Sequence, residues 1–287
     1  MTRITIDKLL AMKEAGERIT ALTAYDFPTA RVLDEAGIDI VLVGDSVGNV
    51  VLGYNNTLPV TMEVMLHHTA AVARAVSRSL VVADMPFMSY QVDPSEAVRN
   101  AGRFIQEALA QAVKLEGGKP VLETVRRIVE AGIPVMGHLG YTPQSVHQFG
   151  ARVVRGKTQA EVGELIHSAR ALEQAGCFAV VLECIPSPVA REITQSISIP
   201  TIGIGSGPYC DGQVLVLHDL IGLSGDFKPR FVKRYAELGR ALKEAVETYA
   251  REVRSGLFPD AEHSFLLPPQ VAGEVEGKGE ALHIRKV

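Results

Sequence analysis

The chain alternates between amphipathic stretches and short apolar runs, and three of the transitions follow the same pattern. At Gly37, Gly132 and Gly176 an amphipathic segment ends in an Ala-Gly pair, and an apolar run follows almost at once. Glycine commonly ends a helix because it adopts the left-handed conformation just after the last turn. The runs that follow show almost no alternation, which is typical of parallel strands buried on both faces. The pattern therefore predicts three helix-to-strand junctions.

Five further apolar runs bring the number of predicted strands to eight. The strands are predicted within residues 18–26, 38–45, 79–86, 111–118, 133–140, 177–184, 199–207 and 214–223. Helical patterns lie between them and after the last, at residues 28–36, 62–76, 94–110, 119–131, 158–175, 188–196 and 231–255. Such alternation indicates right-handed βαβ units.

Eight strands favour closure into a (β/α)8 TIM barrel, a single domain, over an open doubly wound sheet. The dinucleotide-binding alternative is weakened because no GxGxxG turn follows the first strand. We assign residues 1–265 to the catalytic barrel. Residues 266–287 are rich in Pro, Gly and charge, and they predict a partly disordered C-terminal tail.

Composition narrows the classes of partner. The 287 residues include 29 Lys and Arg against 33 Asp and Glu, a net charge of −4 without a basic block, so no nucleic acid is expected. No segment reads as a signal peptide or a bilayer span, so no membrane is expected either. The three cysteines make an odd count without CxxC spacing, which favours a reducing, cytoplasmic location.

The active site of a (β/α)8 barrel lies at the carboxyl ends of the strands, so polar residues that end apolar runs are the candidates. They are Asp45, Ser46, Asp84, Lys114, Glu116, His138 and Glu183. Four are carboxylates, which are rarely buried unless they are paired or bind a metal. Hard oxygen ligands suit Mg²⁺. We therefore predict that Asp45, Asp84 and Glu116 surround one divalent ion, directly or through water. Any one of them alone is as well explained by a helix cap or an arginine pair.

The other candidates would act on the substrate. Lys114 and Glu116 point to one face of their strand, where Lys114 either holds a carboxylate or phosphate or pairs with Glu116. Glu183 ends an apolar run in surroundings that favour a general base. His138 is a second-rank candidate for donating a hydrogen bond to a substrate oxygen, since a histidine at a strand end is as often structural. The Gly-rich residues 203–213 are either a phosphate-binding loop or a tight strand-to-helix turn with Asp211 as its cap.

Eight longer motifs together resemble one enzyme family. They are TAYD at 23–26, VGDSVGNVVLGYNNTLPVT at 43–61, ADMPFMSY at 83–90, VKLEGG at 113–118, GHLGYTPQS at 137–145, VLECIP at 181–186, IGIGSGPYCDGQVLVLHDLIGL at 202–223 and FPDAEHSF at 258–265. In these motifs, which extend over nearly everything up to Phe265, the chain resembles the ketopantoate hydroxymethyltransferases. It departs from their pattern at Ser206, where alanine is expected, and at residues 149–157.

The resemblance implies transfer of a one-carbon unit from 5,10-methylenetetrahydrofolate to 3-methyl-2-oxobutanoate, which gives ketopantoate in the first step of pantothenate biosynthesis. By the same resemblance, the residues around Mg²⁺ are Asp45, Asp84 and Glu116. Those that contact the oxo acid are Asp45, Ser46, Asp84 and Lys114, and Glu183 is the proton acceptor. Members of this family are cytoplasmic homo-oligomers, usually decamers.

Two other functions remain open at this point. A Mg²⁺-dependent lyase or mutase of the isocitrate lyase and phosphoenolpyruvate mutase type would act on a 2-oxo acid in a similar barrel. Such enzymes usually carry a catalytic cysteine-containing loop, which this sequence lacks. A metabolite-binding barrel without activity would leave Glu183 and the metal carboxylates without a role.

Overall fold

The computed structural model describes residues 3–150, 153–225 and 229–265. They form a closed barrel of eight parallel strands in chain order, in which the eighth strand pairs with the first. The strands are β1 (Ile19–Thr23), β2 (Ile40–Val43), β3 (Leu80–Asp84), β4 (Ala112–Lys114), β5 (Val135–Gly140), β6 (Ala179–Glu183), β7 (Thr201–Ile204) and β8 (Gly212–Leu215). The predicted (β/α)8 barrel is confirmed.

Helices connect most of the strands, and one helix precedes the first strand. The α-helices of the described residues are α1 (Ile6–Ala15), α2 (Phe27–Glu35), α3 (Val47–Val50), α4 (Met62–Ala75), α5 (Pro94–Gln106), α6 (Leu122–Glu130), α7 (Val146–Phe149), α8 (Gln159–Gln174), α9 (Ser187–Ser196), α10 (Leu217–Leu220) and α11 (Leu238–Ser255). Two 3₁₀ turns, Lys119–Val121 and Pro143–Ser145, precede α6 and α7. The helix α1 is not among the predicted elements.

The three Ala-Gly junctions have the predicted geometry, with φ values of 84°, 82° and 98° at Gly37, Gly132 and Gly176. The end of α5 differs from the prediction, which extends this helix to Ala110. The helix stops at Gln106 because Leu109 adopts a left-handed conformation, with φ of 60°, and the Ala110 N–H turns back to the Phe104 carbonyl.

Two further predicted elements, the eighth strand and the last helix, exist but have other limits than predicted. The apolar run 214–223 is a strand only to Leu215, because the Leu217 N–H donates to Thr23 Oγ1 at 3.0 Å and α10 begins there. The predicted helix 231–255 begins only at Leu238, since the Tyr235 N–H donates to the Leu220 carbonyl instead of continuing a helical ladder. Residues 205–211 connect β7 to β8 without a helix, so Asp211 caps none; it accepts hydrogen bonds from Thr201 instead.

Successive strand side chains alternate between two apolar clusters. In β2, Ile40 and Leu42 belong to the cluster inside the barrel, while Val41 and Val43 belong to the cluster that packs against the helices. The inner cluster also includes side chains of α1, which packs against the amino ends of the strands. The apolar interior therefore lies below the polar residues at the carboxyl ends.

The chain divides into two compact units, Met1–Ala236 with the barrel and Glu237–Val287 with α11. The predicted tail, residues 266–287, lies outside the described residues, and the division into domains at residue 265 stays a prediction. Among the described helices, none has both the length and the apolar character required to cross a bilayer.

Candidate active site

The predicted site residues meet at the carboxyl ends of β2 to β6. Asp84, Lys114 and Glu183 end their strands, His138 lies within β5, and the remaining three follow directly after β2 and β4. Five of the seven are almost fully buried, with at most 5% of their surface exposed: Asp45, Asp84, Lys114, Glu116 and His138. Buried charges of this kind need partners, because the loss of hydration costs several kcal/mol per ion, on the order expected for proteins.

Lys114 forms an ion pair with Asp84. One of the two predicted alternatives paired it with Glu116 instead. Its Nζ lies 2.6 Å from Asp84 Oδ1, and both side chains are nearly inaccessible. The two residues are register partners on β3 and β4, so they project side by side. Burial lowers the pKa of Lys114, but the nearby carboxylates, Asp84 first among them, outweigh it and raise the pKa. The ammonium group is therefore charged.

Asp45 lies against Asp84, since the backbone N–H of Asp45 donates to Asp84 Oδ2 at 3.1 Å. Burial, and then the charge of Glu116, raises the pKa of Asp45 to about 6. Burial also raises the pKa of Asp84 to about 6, although the ammonium group of Lys114 opposes it. Both acids are thus harder to ionise than usual, because burial removes the water that would stabilise their charges.

His138 lies between two carboxylates. Its Nδ1 is 3.5 Å from Glu116 Oε1, and its Nε2 is 3.2 Å from Glu183 Oε2, although the second contact lacks hydrogen-bond geometry. Burial and the charge of Lys114 lower the pKa of His138, but Glu116 and Glu183 outweigh both and raise it to about 9. The Nδ1 atom also lies 3.4 Å from Lys114 Nζ, so the ring contacts the lysine as well as the two carboxylates.

Ser46 and Glu183 are the more accessible members of the set. Ser46 Oγ lies 2.8 Å from the hydroxyl of Tyr25, a fully buried side chain whose pKa is raised by burial. The Glu183 side chain keeps 16% of its surface exposed. The end of β5 approaches the Glu183 backbone so closely that a Cβ on Gly140 would lie 2.1 Å from the Glu183 carbonyl oxygen, and Gly140 has φ of 98°. Only glycine fits there.

Sequence reasoning missed Gln144 and Tyr90, which connect the acidic residues. The Gln144 side chain donates to Asp45 Oδ2 at 3.0 Å, and its backbone N–H donates to Glu116 Oε2 at 3.0 Å. The hydroxyl of Tyr90 donates to Gln144 Oε1 at 2.8 Å and accepts from the Glu116 N–H at 3.1 Å. Both residues lie in the motifs ADMPFMSY and GHLGYTPQS, but neither ends an apolar run, so the strand-end rule passes over them.

The donor set fits Mg²⁺ through few direct ligands. Within the described residues, no group of three or more His, Cys, Asp or Glu side chains is arranged to hold a metal ion by itself. Mg²⁺ usually keeps several waters and takes only one or two carboxylates. Asp84 accepts from the Asp45 N–H, and Gln144 contacts both Asp45 and Glu116. The three carboxylates are therefore close enough to share one ion, directly or through water.

Comparison with known proteins begins with the family model for ketopantoate hydroxymethyltransferase, which matches residues 3–261. The 3-methyl-2-oxobutanoate hydroxymethyltransferase of Moorella thermoacetica is 59% identical over 264 residues, which are 92% of this chain and 98% of that protein. The protein of the same name from Geobacter metallireducens is 56% identical over 261 residues, which are 91% of this chain and 98% of that one.

Solved structures resemble the chain in fold alone. A phosphonopyruvate hydrolase in complex with oxalate and Mg²⁺ aligns with a TM-score of 0.58 at 16% identity, over 96% of this chain and 95% of that one. A 2,3-dimethylmalate lyase of the phosphoenolpyruvate mutase and isocitrate lyase superfamily aligns with a TM-score of 0.58 at 18% identity, also over 96% and 95%. The barrel architecture is thus shared with these enzymes.

Proposed function

The chain belongs to the ketopantoate hydroxymethyltransferase family, and from that premise we propose that it transfers a hydroxymethyl group to 3-methyl-2-oxobutanoate. The product is ketopantoate, formed in the first step of pantothenate biosynthesis, and the one-carbon donor is 5,10-methylenetetrahydrofolate. The observation that carries this proposal is the meeting of buried acidic side chains, Lys114 and Glu183 at the carboxyl end of one barrel. Relatives at 53–59% identity are named for this reaction.

Asp45, Asp84 and Glu116 would hold Mg²⁺ in this proposal, directly or through water. The count of charges supports a divalent cation. Four carboxyl groups, those of Asp45, Asp84, Glu116 and Glu183, share the site with the ammonium of Lys114 and the ring of His138, so acidic groups outnumber basic ones. When bound, Mg²⁺ supplies Lewis acidity that withdraws electron density from the carboxylate and keto oxygens of the oxo acid.

Lys114 and Ser46 bind and orient the oxo acid. The Lys114 ammonium is fixed by Asp84 and remains charged, so it attracts the substrate carboxylate without having to be ordered at the moment of binding. Ser46 Oγ donates a hydrogen bond to the substrate, and Tyr25 holds the hydroxyl in place at 2.8 Å. His138 would donate a hydrogen bond to a substrate oxygen, since its Nε2 has no hydrogen-bond partner within the described residues.

Glu183 accepts the proton from C3 of the oxo acid. Its partial exposure at the end of β6 supports this role, because the carboxylate is accessible to a substrate held over the acidic cluster. The proton moves to a Glu183 oxygen, and the electron pair left at C3 forms the bond to the one-carbon unit of the folate. Both bonds from that carbon to the folate nitrogens break, and water supplies the hydroxyl oxygen of the product. The two nitrogens keep the electron pairs and take up the C3 proton and one proton of the water, which leaves tetrahydrofolate. Holding both reactants in the correct orientation supplies much of the advantage over solution.

A homo-oligomer, specifically a decamer, is also proposed from the family resemblance. Apolar side chains exposed along α11 support self-association, since Leu242, Val246 and Tyr249 are each more than half exposed. A monomeric mass by light scattering would overturn it. A cytoplasmic location is proposed too, and the three free cysteines are compatible with a reducing compartment.

The reaction is tested with the purified protein, 3-methyl-2-oxobutanoate and 5,10-methylenetetrahydrofolate, with and without Mg²⁺. With the protein present, we expect ketopantoate only when the oxo acid, the folate and Mg²⁺ are all supplied. Chelation of the metal should abolish its formation. The lyase and mutase alternative is assayed in parallel through cleavage of isocitrate and 2,3-dimethylmalate. Cleavage of either compound without folate-dependent product would contradict the proposed function, as would product formation that is independent of a divalent ion.

A further inference from the structure

The side-chain amide of Gln144 uses its full hydrogen-bonding capacity in a buried position. Only 6% of the residue is exposed. Its Nε2 donates to Asp45 Oδ2 and to the Met85 carbonyl, both at 3.0 Å. Its Oε1 accepts from the Tyr90 hydroxyl at 2.8 Å and from Gln91 Nε2 at 3.2 Å. Two donors and two acceptor positions are all that a glutamine amide offers.

The orientation of this amide is determined by its partners. The backbone carbonyl of Met85 only accepts hydrogen bonds, and so does an ionised Asp45 carboxylate. A flipped amide would place Oε1 against both of these oxygens and leave Nε2 beside the donors of Tyr90 and Gln91. Since Met85 cannot change its role, the NH₂ group of Gln144 must face Asp45.

Gln144 therefore contacts two of the three carboxylates around the proposed cation, one with its side chain and one with its backbone N–H. Because the amide is neutral, it orients Asp45 without neutralising its charge. Lys114, by contrast, places a full positive charge beside Asp84. A donor to Asp45 Oδ2 also restricts rotation of the carboxylate. Partners that fix metal-binding carboxylates in this way commonly alter metal affinity when they are removed.

We propose that Gln144 is a positioning residue for the divalent cation, which it serves by orienting Asp45 from the side and fixing Glu116 through the backbone. This inference rests on the proposed function, in which those carboxylates hold Mg²⁺. It gives the turn after β5 a role in metal affinity, in addition to that of the residues at the strand ends. The turn brings no charge to the site, yet it joins residues from two separate strand ends.

The test is the Gln144→Met variant, which keeps the length of the side chain, removes its hydrogen bonds and leaves the backbone N–H to Glu116 intact. Mg²⁺ binding is measured by calorimetry on the full chain without oxo acid. We expect Kd for Mg²⁺ to rise by roughly 10- to 100-fold, the range found when such supporting partners are lost. At saturating Mg²⁺, the rate of product formation should recover towards that of the wild type.

Gln111→Met is the matched control, because Gln111 Oε1 accepts from the Val81 N–H at 2.8 Å near the start of β3, away from the acidic cluster. It should lower the melting temperature yet keep wild-type Mg²⁺ affinity. Gln144→Asn provides a second variant should Gln144→Met fail to fold, since its shorter amide cannot reach Asp45 and Met85 together. Its Kd for Mg²⁺ should rise as well.

The possible results separate this inference from the function on which it rests. Wild-type Mg²⁺ affinity in a folded Gln144→Met or Gln144→Asn protein, beside a wild type that binds Mg²⁺, would overturn the role of Gln144 alone. An equal loss of affinity in Gln111→Met would overturn it too, because the effect would then be one of general stability. Failure of the wild type to bind Mg²⁺ would overturn both proposals.

Discussion

At the scale of single residues, the chemistry depends on Glu183 having access to substrate while its neighbours are buried. The carboxylate lies 3.2 Å from the imidazole of His138, and 16% of its side chain reaches solvent. The acidic residues on the other side of His138 are buried and lie near Lys114. One carboxylate is thus free to move a proton, and the others are placed to hold a cation.

Replacing Glu183 with Gln tests this division of roles. The amide keeps the shape of the side chain but cannot accept a proton, so exchange of the C3 proton of the oxo acid with deuterated water should fall by about 10²- to 10⁴-fold. Binding of Mg²⁺ and oxo acid should persist. NMR follows the exchange, and calorimetry follows the binding.

Glu173→Gln is a suitable control for this experiment, because Glu173 accepts from the Ser198 N–H in the loop before β7 and lies outside the acidic cluster. It should exchange the proton at the wild-type rate. Retained exchange in Glu183→Gln would remove Glu183 from the role of base and leave His138 or a water molecule to be tested in its place.

At the scale of elements, a hydroxyl on the chain after β7 supports the end of β6. Ser206 is fully buried, its Oγ donates to the Leu182 carbonyl at 2.7 Å, and it accepts from the Ile185 N–H at 3.2 Å. These two groups flank Glu183 and Cys184, and Cys184 has a positive φ of 51°. The serine thus holds a strained stretch of backbone beside the proposed base.

Ser206→Ala should therefore lower the free energy of unfolding by about 1–3 kcal/mol, since it leaves a buried N–H without this partner. Denaturant titration at a fixed protein concentration measures the change. Ser196→Ala is the control, because Ser196 Oγ makes one hydrogen bond at the end of α9, to the Ile193 carbonyl, and its loss should cost less. Wild-type stability in Ser206→Ala would contradict this account.

Elements with strong periodicity could be predicted from the sequence, and those defined by distant contacts could not. The strands could be predicted because both of their faces are apolar. The Ala-Gly junctions indicated where three of them begin. The start of α11 could not be predicted, because the amphipathic pattern extends to residues before it whose backbone N–H groups donate to other parts of the chain. The same limit applies to the site, since Gln144 contacts Asp45 across 99 positions of sequence.

At the scale of the whole molecule, the barrel brings together residues that are far apart in the chain. The strands β2 to β6 each contribute to one polar cluster at their carboxyl ends, while their interior positions form an apolar core. A cavity of about 1380 Å³ is lined by β1, β8 and the residues that follow β6 and β7, among them Cys184 and Ile185. The cavity therefore adjoins the end of β6, beside the proposed base.

The most direct measurement of the central claim is a crystal structure of the protein soaked with Mg²⁺ and 3-methyl-2-oxobutanoate. The account predicts one Mg²⁺ among Asp45, Asp84 and Glu116, with direct carboxylate ligands at about 2.0–2.1 Å and any others reached through water. The oxo acid should chelate the ion with its C3 facing Glu183. A metal bound elsewhere, or Asp45 and Asp84 turned away from a shared ion, would contradict the claim.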